Sequence, residues 1–282
     1  MAMRSILIPW WDGSTALPPL DTALAIARHV EAHLEVVFIT PRPADLVSTL
    51  GSIADPSPAL LQRIEQSTKE GGTAARAAFD AWREEKDLSG RMVDMQLRVP
   101  FAKWSNRDGL PEQVILRKGR LTDMTVLSFP RRSGVLDRSI DAAIFESGHP
   151  VLLVPDHVVR APLDHVVVAW NGSLHATRAV FGSLDMLRAA ERVTVLTTTD
   201  FDGADLDLLD GLSWHGVNAS HERLDPGTST LGATLLEAAK RLGATLLVMG
   251  AFTHSRVSAA SLGGVTKHLF MNAPDMPVLL AH

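Results

Sequence analysis

A glycine-rich segment near the end of the sequence is the first candidate for chemistry. Gly250 closes the apolar run TLLVMG, and Gly263 and Gly264 precede a helical pattern, VTKHLFM. A glycine turn that leads into a helix presents free backbone N–H groups and the positive end of the helix dipole, and both attract phosphate. The Thr266 hydroxyl could donate one more hydrogen bond. The same residues also fit an ordinary surface turn with Thr266 in a first-turn cap.

A second polar turn, WNGS at 170–173, follows the apolar run VVVA. Its Asn171 could meet a ribose or the edge of a base, or could simply form an Asx turn. In open parallel sheets, ligands bind beyond the carboxyl ends of the strands. We therefore expect this turn and the glycine-rich segment to lie at one edge of the sheet.

No catalytic or metal-ligating residue is predicted. The sequence has no cysteine, and its 11 histidines are scattered. His215 and His221 flank a predicted strand without a third convergent ligand. Neither the G-x-G-x-x-G fingerprint of dinucleotide enzymes nor the G-x-x-x-x-G-K-[ST] loop of P-loop hydrolases occurs.

Composition indicates a soluble protein with full-sized cores. The 282 residues are 46% hydrophobic and 21% charged, which suits two globular domains. A net charge of −5 without a basic stripe argues against nucleic acid as a partner. The sequence shows no signal peptide, and no run approaches the roughly 18 apolar residues that span a bilayer. We therefore expect a cytoplasmic protein without a membrane partner.

An internal repeat divides the chain into two halves. ILIPWWDGS resembles VVVAWNGS, and ESGHPVLLVP resembles APDMPVLLAH. We predict domains at 1–156 and 163–282, with the join in PDHVVRAPLD. Each half alternates helical patterns with apolar runs, which predicts an α/β fold with two five-stranded parallel sheets. The runs are SILIP, LEVVFIT, VDMQLRV, MTVLSF and PVLLV, and then HVVVAW, RVTVLTT, VNASHERL, TLLVMG and PVLLA.

The first half contains an extra helix between Thr40 and Val93. Apolar residues form one stripe along it, namely Leu60, Ile64, Ala75, Phe79 and Trp82. Such a stripe favours a helix that shields a face of the sheet, and it also fits a helix that covers a binding cleft.

The glycine-rich segment, the WNGS turn and the flanking LLVMG and PVLLAH resemble the universal stress protein family. The likeness spans both halves, so the chain resembles a tandem, UspA-like member. The resemblance implies two Rossmann-like (adenine nucleotide alpha hydrolase-like) domains in a stress-response protein. It implies ATP or AMP as a regulatory ligand and no essential cofactor. It implies no enzymatic role, although weak ATPase activity is left open.

Carried over by position, the resemblance implies a nucleotide-binding site made of Asn171, Thr198, Gly250, Thr253, Gly263, Gly264, Val265 and Thr266. Three of these depart from the family pattern. Asn171 replaces an aspartate, Thr253 replaces a glycine, and Gly264 replaces a hydroxyl residue. Each change removes a ligand contact or strains the loop, because a β-branched residue tolerates positive φ poorly. We therefore predict weakened binding.

The first half has a shorter loop in the corresponding place. Leu136 and Asp137 stand where the second half has its paired glycines, and a carboxylate there would repel a phosphate. Arg131 and Arg132 are interpreted as solvated surface charge. We therefore expect any nucleotide site to be confined to the second half.

The last strands of the two halves, PVLLVP and PVLLAH, carry little charge to protect an exposed edge. In the resembling family such strands pair across a dimer interface, so we expect an intramolecular pseudo-dimer. A further homodimer is left open. The alternative function is that of a ligand-free interaction protein that has lost nucleotide binding.

Overall fold

The computed structural model of the chain describes residues 2–11, 17–42, 45, 57–88, 100–130, 138–198, 204–251 and 264–282. The described strands form one ten-stranded sheet. Their bounds are β1 (Ser5–Trp10), β2 (His33–Thr40), β3 (Ala102–Asp108), β4 (Met124–Ser128), β5 (Val151–Val154), β6 (His165–Ala169), β7 (Arg192–Thr198), β8 (Ala219–Leu224), β9 (Leu246–Gly250) and β10 (Val278–Ala281).

Helices cover both faces of this sheet. Within the described ranges they are α1 (Leu17–Val30), α2 (Pro58–Glu85), α3 (Pro111–Gly119), α4 (Arg138–Glu146), α5 (Leu174–Gly182), α6 (Leu184–Ala189), α7 (Ala204–Trp214), α8 (Leu231–Arg241) and α9 (Gly264–Met271). One core lies between the sheet and α1, α2, α5, α6 and α7. The other lies between the sheet and α3, α4, α8 and α9.

The strand order is β3-β2-β1-β4-β5-β10-β9-β6-β7-β8. Within each half every pairing is parallel, and both halves have the same order. Parallel strands covered on both faces must be apolar along most of their length, which explains the continuous apolar runs in the sequence. The predicted α/β architecture with two Rossmann-like halves is confirmed.

The halves join through β5 and β10, which form the one antiparallel pairing among the described strands. Val278 lies opposite Leu153, and Leu280 lies opposite Val151, with all four residues fully buried. The two apolar edges therefore protect each other from solvent, which is the pairing expected for the last strands.

The edge strand of the first half differs from the sequence expectation. VDMQLRV at 93–99 lies outside the described residues, and the strand beside β2 is β3, with the sequence AKWSNRD. In this strand only Ala102 is fully buried, so its apolar signal is weak. Polar side chains are tolerated here because one long side of the strand has no neighbour among the described strands.

Helix α2 packs its second half against the sheet. Ala75, Phe79 and Trp82 are buried in the core, as the predicted stripe requires. The indole N–H of Trp82 donates to Asp21 Oδ1 at 2.9 Å, which ties α2 to α1. The side chains of Leu60 and Ile64 lie outside the described set.

Candidate functional site

A pocket lies at the carboxyl ends of β6, β7 and β9 in the second half, on the face that carries α8 and α9. Its empty space, including the open mouth, is about 670 Å³. Six of the eight residues predicted for a nucleotide site line it together: Asn171, Thr198, Gly250, Gly264, Val265 and Thr266. The other two, Thr253 and Gly263, lie outside the described residues.

The floor of the pocket is apolar. Leu196 and Leu224 supply it from β7 and β8, Met249 from β9 and Leu235 from α8. Each of these side chains is no more than 6% exposed. Sequence analysis did not single them out, because each belongs to an ordinary apolar run and only the parallel register brings them to one place.

Gly250 is required by the packing of α5. A Cβ atom at this position would lie 2.6 Å from the backbone nitrogen of Ala176 and 2.8 Å from the carbonyl carbon of His175. Backbone atoms cannot move aside cheaply, so only glycine lets the first turn of α5 approach the end of β9. The glycine therefore shapes the pocket through protein packing, whether or not a ligand is bound.

The first residue of α9, Gly264, has room for a side chain among the residues that the structure describes. A Cβ atom on Gly264 would meet no heavy atom within 4 Å. Gly232 holds α9 in this position, because a Cβ there would lie 2.6 Å from the Cβ of His268 and 3.2 Å from the Cα of Val265. The helix is thus packed against α8, and its amino-terminal residues Gly264 and Val265 line the pocket, where a helix dipole favours an anion.

The Thr266 hydroxyl, suggested by the sequence as a further hydrogen-bond donor, belongs to a buried residue. The residue lines the pocket but is 2% exposed, and it already has an interaction partner inside the protein. A phosphate at the helix terminus would therefore depend on backbone N–H groups rather than on this side chain.

The turn before α5 has its own internal hydrogen bonds. Asn171 Oδ1 accepts from the backbone N–H of Ser173 at 3.2 Å, forming an Asx turn. Ser173 Oγ in turn accepts from the N–H of Ala176 at 3.1 Å and caps the helix. Gly172 has a φ of 67°, a conformation that glycine adopts readily. The exposed amide nitrogen of Asn171 has no protein partner among the described residues and remains able to donate to a ligand.

His175 forms one wall and connects the pocket to the other half of the molecule. Its ring stacks on His282 with centroids 4.3 Å apart, and the edge of the His282 ring meets Phe145 of α4. Burial, assisted by Arg178, lowers the pKa of His175, so the ring is neutral near neutral pH. Its Nδ1 is buried without a hydrogen-bond partner in the described structure, as is Nε1 of Trp170.

The described lining contains no lysine, arginine, aspartate or glutamate. Positive potential for an anion would therefore come from the α9 dipole and its free N–H groups. No group of three or more His, Cys, Asp or Glu residues within the described ranges could hold a metal ion. Among the helices described, none is long and apolar enough to cross a membrane.

The prediction for the first half concerns its shorter loop. Arg131, Arg132, Leu136 and Asp137 all lie outside the described residues. The prediction that this half lacks a nucleotide site therefore stays a prediction.

The sequence matches no protein-family model and no curated protein, whereas solved structures match it along nearly its whole length. A universal stress protein from Archaeoglobus fulgidus DSM 4304 is 16% identical, with a TM-score of 0.69 over 98% of this chain and 95% of that one. A putative universal stress protein from Pseudomonas aeruginosa UCBPP-PA14 is 14% identical, with a TM-score of 0.57 over 99% and 93%. A functionally unknown protein from Pseudomonas aeruginosa PAO1 is also 14% identical, with a TM-score of 0.58 over 99% and 92%. The chain therefore has the tandem α/β fold of universal stress proteins.

Proposed function

We propose that this chain is a universal stress protein-like protein that binds ATP or AMP in the pocket of its second half, as a regulatory ligand. One observation carries the proposal: residues far apart in the sequence meet around a single pocket that joins an apolar floor to the amino end of α9. An adenine nucleotide has the same two parts, a planar base and an anionic phosphate.

The chemistry of the pocket supports a defined orientation of the bound nucleotide. The base packs on the floor formed by Leu196, Leu235 and Met249, and the Asn171 amide donates to the ribose. The phosphate approaches the backbone at Gly264. The absence of a fixed positive charge in the described lining favours moderate affinity, because the helix dipole is equivalent to only about half a unit charge.

In this proposal the chain consists of two domains, 1–156 and 163–282, that form an intramolecular pseudo-dimer through β5 and β10. Support comes from the shared strand order and from the antiparallel pairing. The nucleotide site belongs to the second domain alone. The proposal assigns no catalytic residue, and binding is expected to alter conformation or partner choice rather than to lead to turnover.

Calorimetric titration of ATP and AMP tests the proposal with a matched pair of variants. Gly264→Leu places a side chain where no described residue comes within 4 Å of its Cβ, so we expect the fold to be retained while the phosphate position is blocked. Gly211→Leu is the control, because this glycine in α7 also has no heavy atom within 4 Å of a Cβ and lies outside the pocket. Gly264→Leu should weaken binding by about tenfold or more, and the control should bind like the parent. Equal binding by all three proteins would refute the assignment.

A second candidate function, that of a ligand-free interaction protein, is favoured by the internal contacts of the same residues. Asn171 Oδ1 is committed to a turn, and packing alone explains Gly250. Thr266 is buried. Mass spectrometry of small molecules released from the purified protein, together with the titration, separates the candidates. No released nucleotide and no binding by the parent would favour the ligand-free protein.

A further inference from the structure

The WNGS turn contains the one asparagine of the sequence that a glycine follows. Asparagines stand at positions 106, 171, 218 and 272, and only Asn171 precedes a glycine. The backbone nitrogen of the next residue can attack the amide carbon of an asparagine side chain and close a five-membered ring. Glycine has no Cβ atom to hinder this approach. Asn171 and Gly172 are both exposed, so water reaches the groups that would react.

The nitrogen that would attack is free. The backbone N–H of Gly172 donates to no acceptor among the described residues, because the turn is closed one residue later by the N–H of Ser173. Loss of the Gly172 proton to water therefore breaks no hydrogen bond in the described part of the protein. The deprotonated nitrogen is the form that attacks a carbonyl carbon.

The carbonyl group that would be attacked is polarised. Asn171 Oδ1 accepts from the N–H of Ser173 at 3.2 Å. This oxygen takes up negative charge when a nitrogen adds to Cγ, and a backbone N–H aimed at it stabilises that charge, as in an oxyanion hole. The turn also lies directly before α5, and the positive end of a helix dipole favours an anion. The hydrogen bond that forms the turn thus prepares the side chain for attack.

The group that would leave is free as well. Nδ2 of Asn171 has no protein partner among the described residues, whereas Nδ2 of Asn272 donates to the His268 carbonyl at 3.0 Å. Asn272 is also exposed, but it precedes Ala273, whose Cβ atom crowds the attacking nitrogen. Asn272 is therefore an internal control, an exposed asparagine without these two features.

We infer that Asn171 is a site of spontaneous deamidation. The Gly172 nitrogen loses its proton and bonds to Cγ of Asn171, and the Cγ–Nδ2 bond breaks to release ammonia and leave a cyclic imide. Water then opens the ring at either carbonyl carbon, which gives aspartate or isoaspartate at position 171. The described lining of the second-half pocket contains no Asp, Glu, Lys or Arg, so the product introduces a negative charge there. The inference goes beyond the proposed function and requires no nucleotide.

Peptide mapping by mass spectrometry tests the inference on the ligand-free full chain, incubated in mildly alkaline buffer. The peptide that contains Asn171 should gain the mass of an exchange of NH2 for OH. This product should accumulate about tenfold or more faster than the corresponding product at Asn272. Because the turn itself assists the reaction, position 171 should react in the folded protein no more slowly than in a synthetic peptide of residues 168–175.

A matched pair of variants isolates the N–H of Ser173. Ser173→Pro removes this N–H, and the φ of −74° at this position suits proline. Ser173→Ala keeps the N–H and loses the same hydroxyl cap. With circular dichroism showing both variants folded, Ser173→Pro should deamidate about tenfold or more slowly, and Ser173→Ala should react like the parent. The inference is overturned if position 171 stays unmodified in the parent or reacts more slowly than in the peptide, if Asn272 reacts as fast, or if the two variants react at equal rates.

Discussion

Replacing Gly250 with alanine should destabilise the protein even in the absence of any ligand. The new methyl group would lie 2.6 Å from the Ala176 nitrogen and 2.8 Å from the His175 carbonyl carbon. Because both contacts are with backbone, α5 must move off the end of β9, and such overpacking costs about 1–3 kcal/mol. Urea unfolding followed by circular dichroism at constant pH measures this loss as a lower midpoint.

Gly264→Ala provides the control for the same chemical change. Its methyl group would meet no heavy atom of the described residues within 4 Å, and within a helix alanine is favoured over glycine by up to about 1 kcal/mol. We expect the free energy of unfolding to stay equal or to rise. If Gly250→Ala unfolds at the same urea concentration as the parent, or if both variants lose stability alike, the packing explanation of Gly250 is wrong.

Three other substitutions test the supports of the fold. Ser173→Ala removes the cap of α5 and should lower the free energy of unfolding by about 1 kcal/mol in urea titrations, whereas an unchanged midpoint would contradict the cap. Leu279→Ala, at a fully buried position of β10, should cost about 2–5 kcal/mol, and a cost comparable to that of a surface substitution would count against the central pairing. Burial lowers the pKa of His165, a hydrogen bond to the Leu242 carbonyl opposes this, and Arg192 lowers the pKa further. The neutral form is therefore favoured in the folded state, so stability should be full above the ordinary pKa of 6.5 and should fall as the pH drops toward the lowered value. His165→Asn should flatten this pH dependence in unfolding titrations, and an identical slope would show that His165 does not contribute to it.

Much of the sheet was predictable because buried parallel strands have continuous apolar sequences. MTVLSF and TLLVMG correspond to β4 and β9 nearly residue for residue. β3 was not predicted, since an edge strand with only one fully buried residue lacks both an apolar run and strict alternation. A strand can be recognised in the sequence when it is buried between neighbouring strands, because burial requires an apolar run. Strand propensity alone is a weaker signal.

The candidate site was predictable in its backbone features and less so in its side chains. Gly250 and the WNGS turn marked the ends of β9 and β6 that line the pocket, and Gly264 marked the start of α9. The burial of Thr266 could not be foreseen, because it depends on how α9 rests on α8 at Gly232. Sequence analysis also missed His175, because its ring stacks on that of His282, and these two positions are separated by most of the second half.

The extra helix of the first half was predictable in its packing against the sheet. Its apolar stripe predicted packing, and the structure confirms this for Ala75, Phe79 and Trp82. The side chains of the other two stripe residues, Leu60 and Ile64, lie outside the described set, so for them packing stays a prediction.

Photolabelling with 8-azido-ATP, followed by peptide mapping, tests the central claim most directly, because it reports where an adenine base rests. The account predicts labelling that excess ATP prevents, confined to peptides from the floor and walls of the second-half pocket, around Leu224–Leu235 and Leu246–Gly250. Labelling of first-half peptides, or labelling that excess ATP does not reduce, would contradict it.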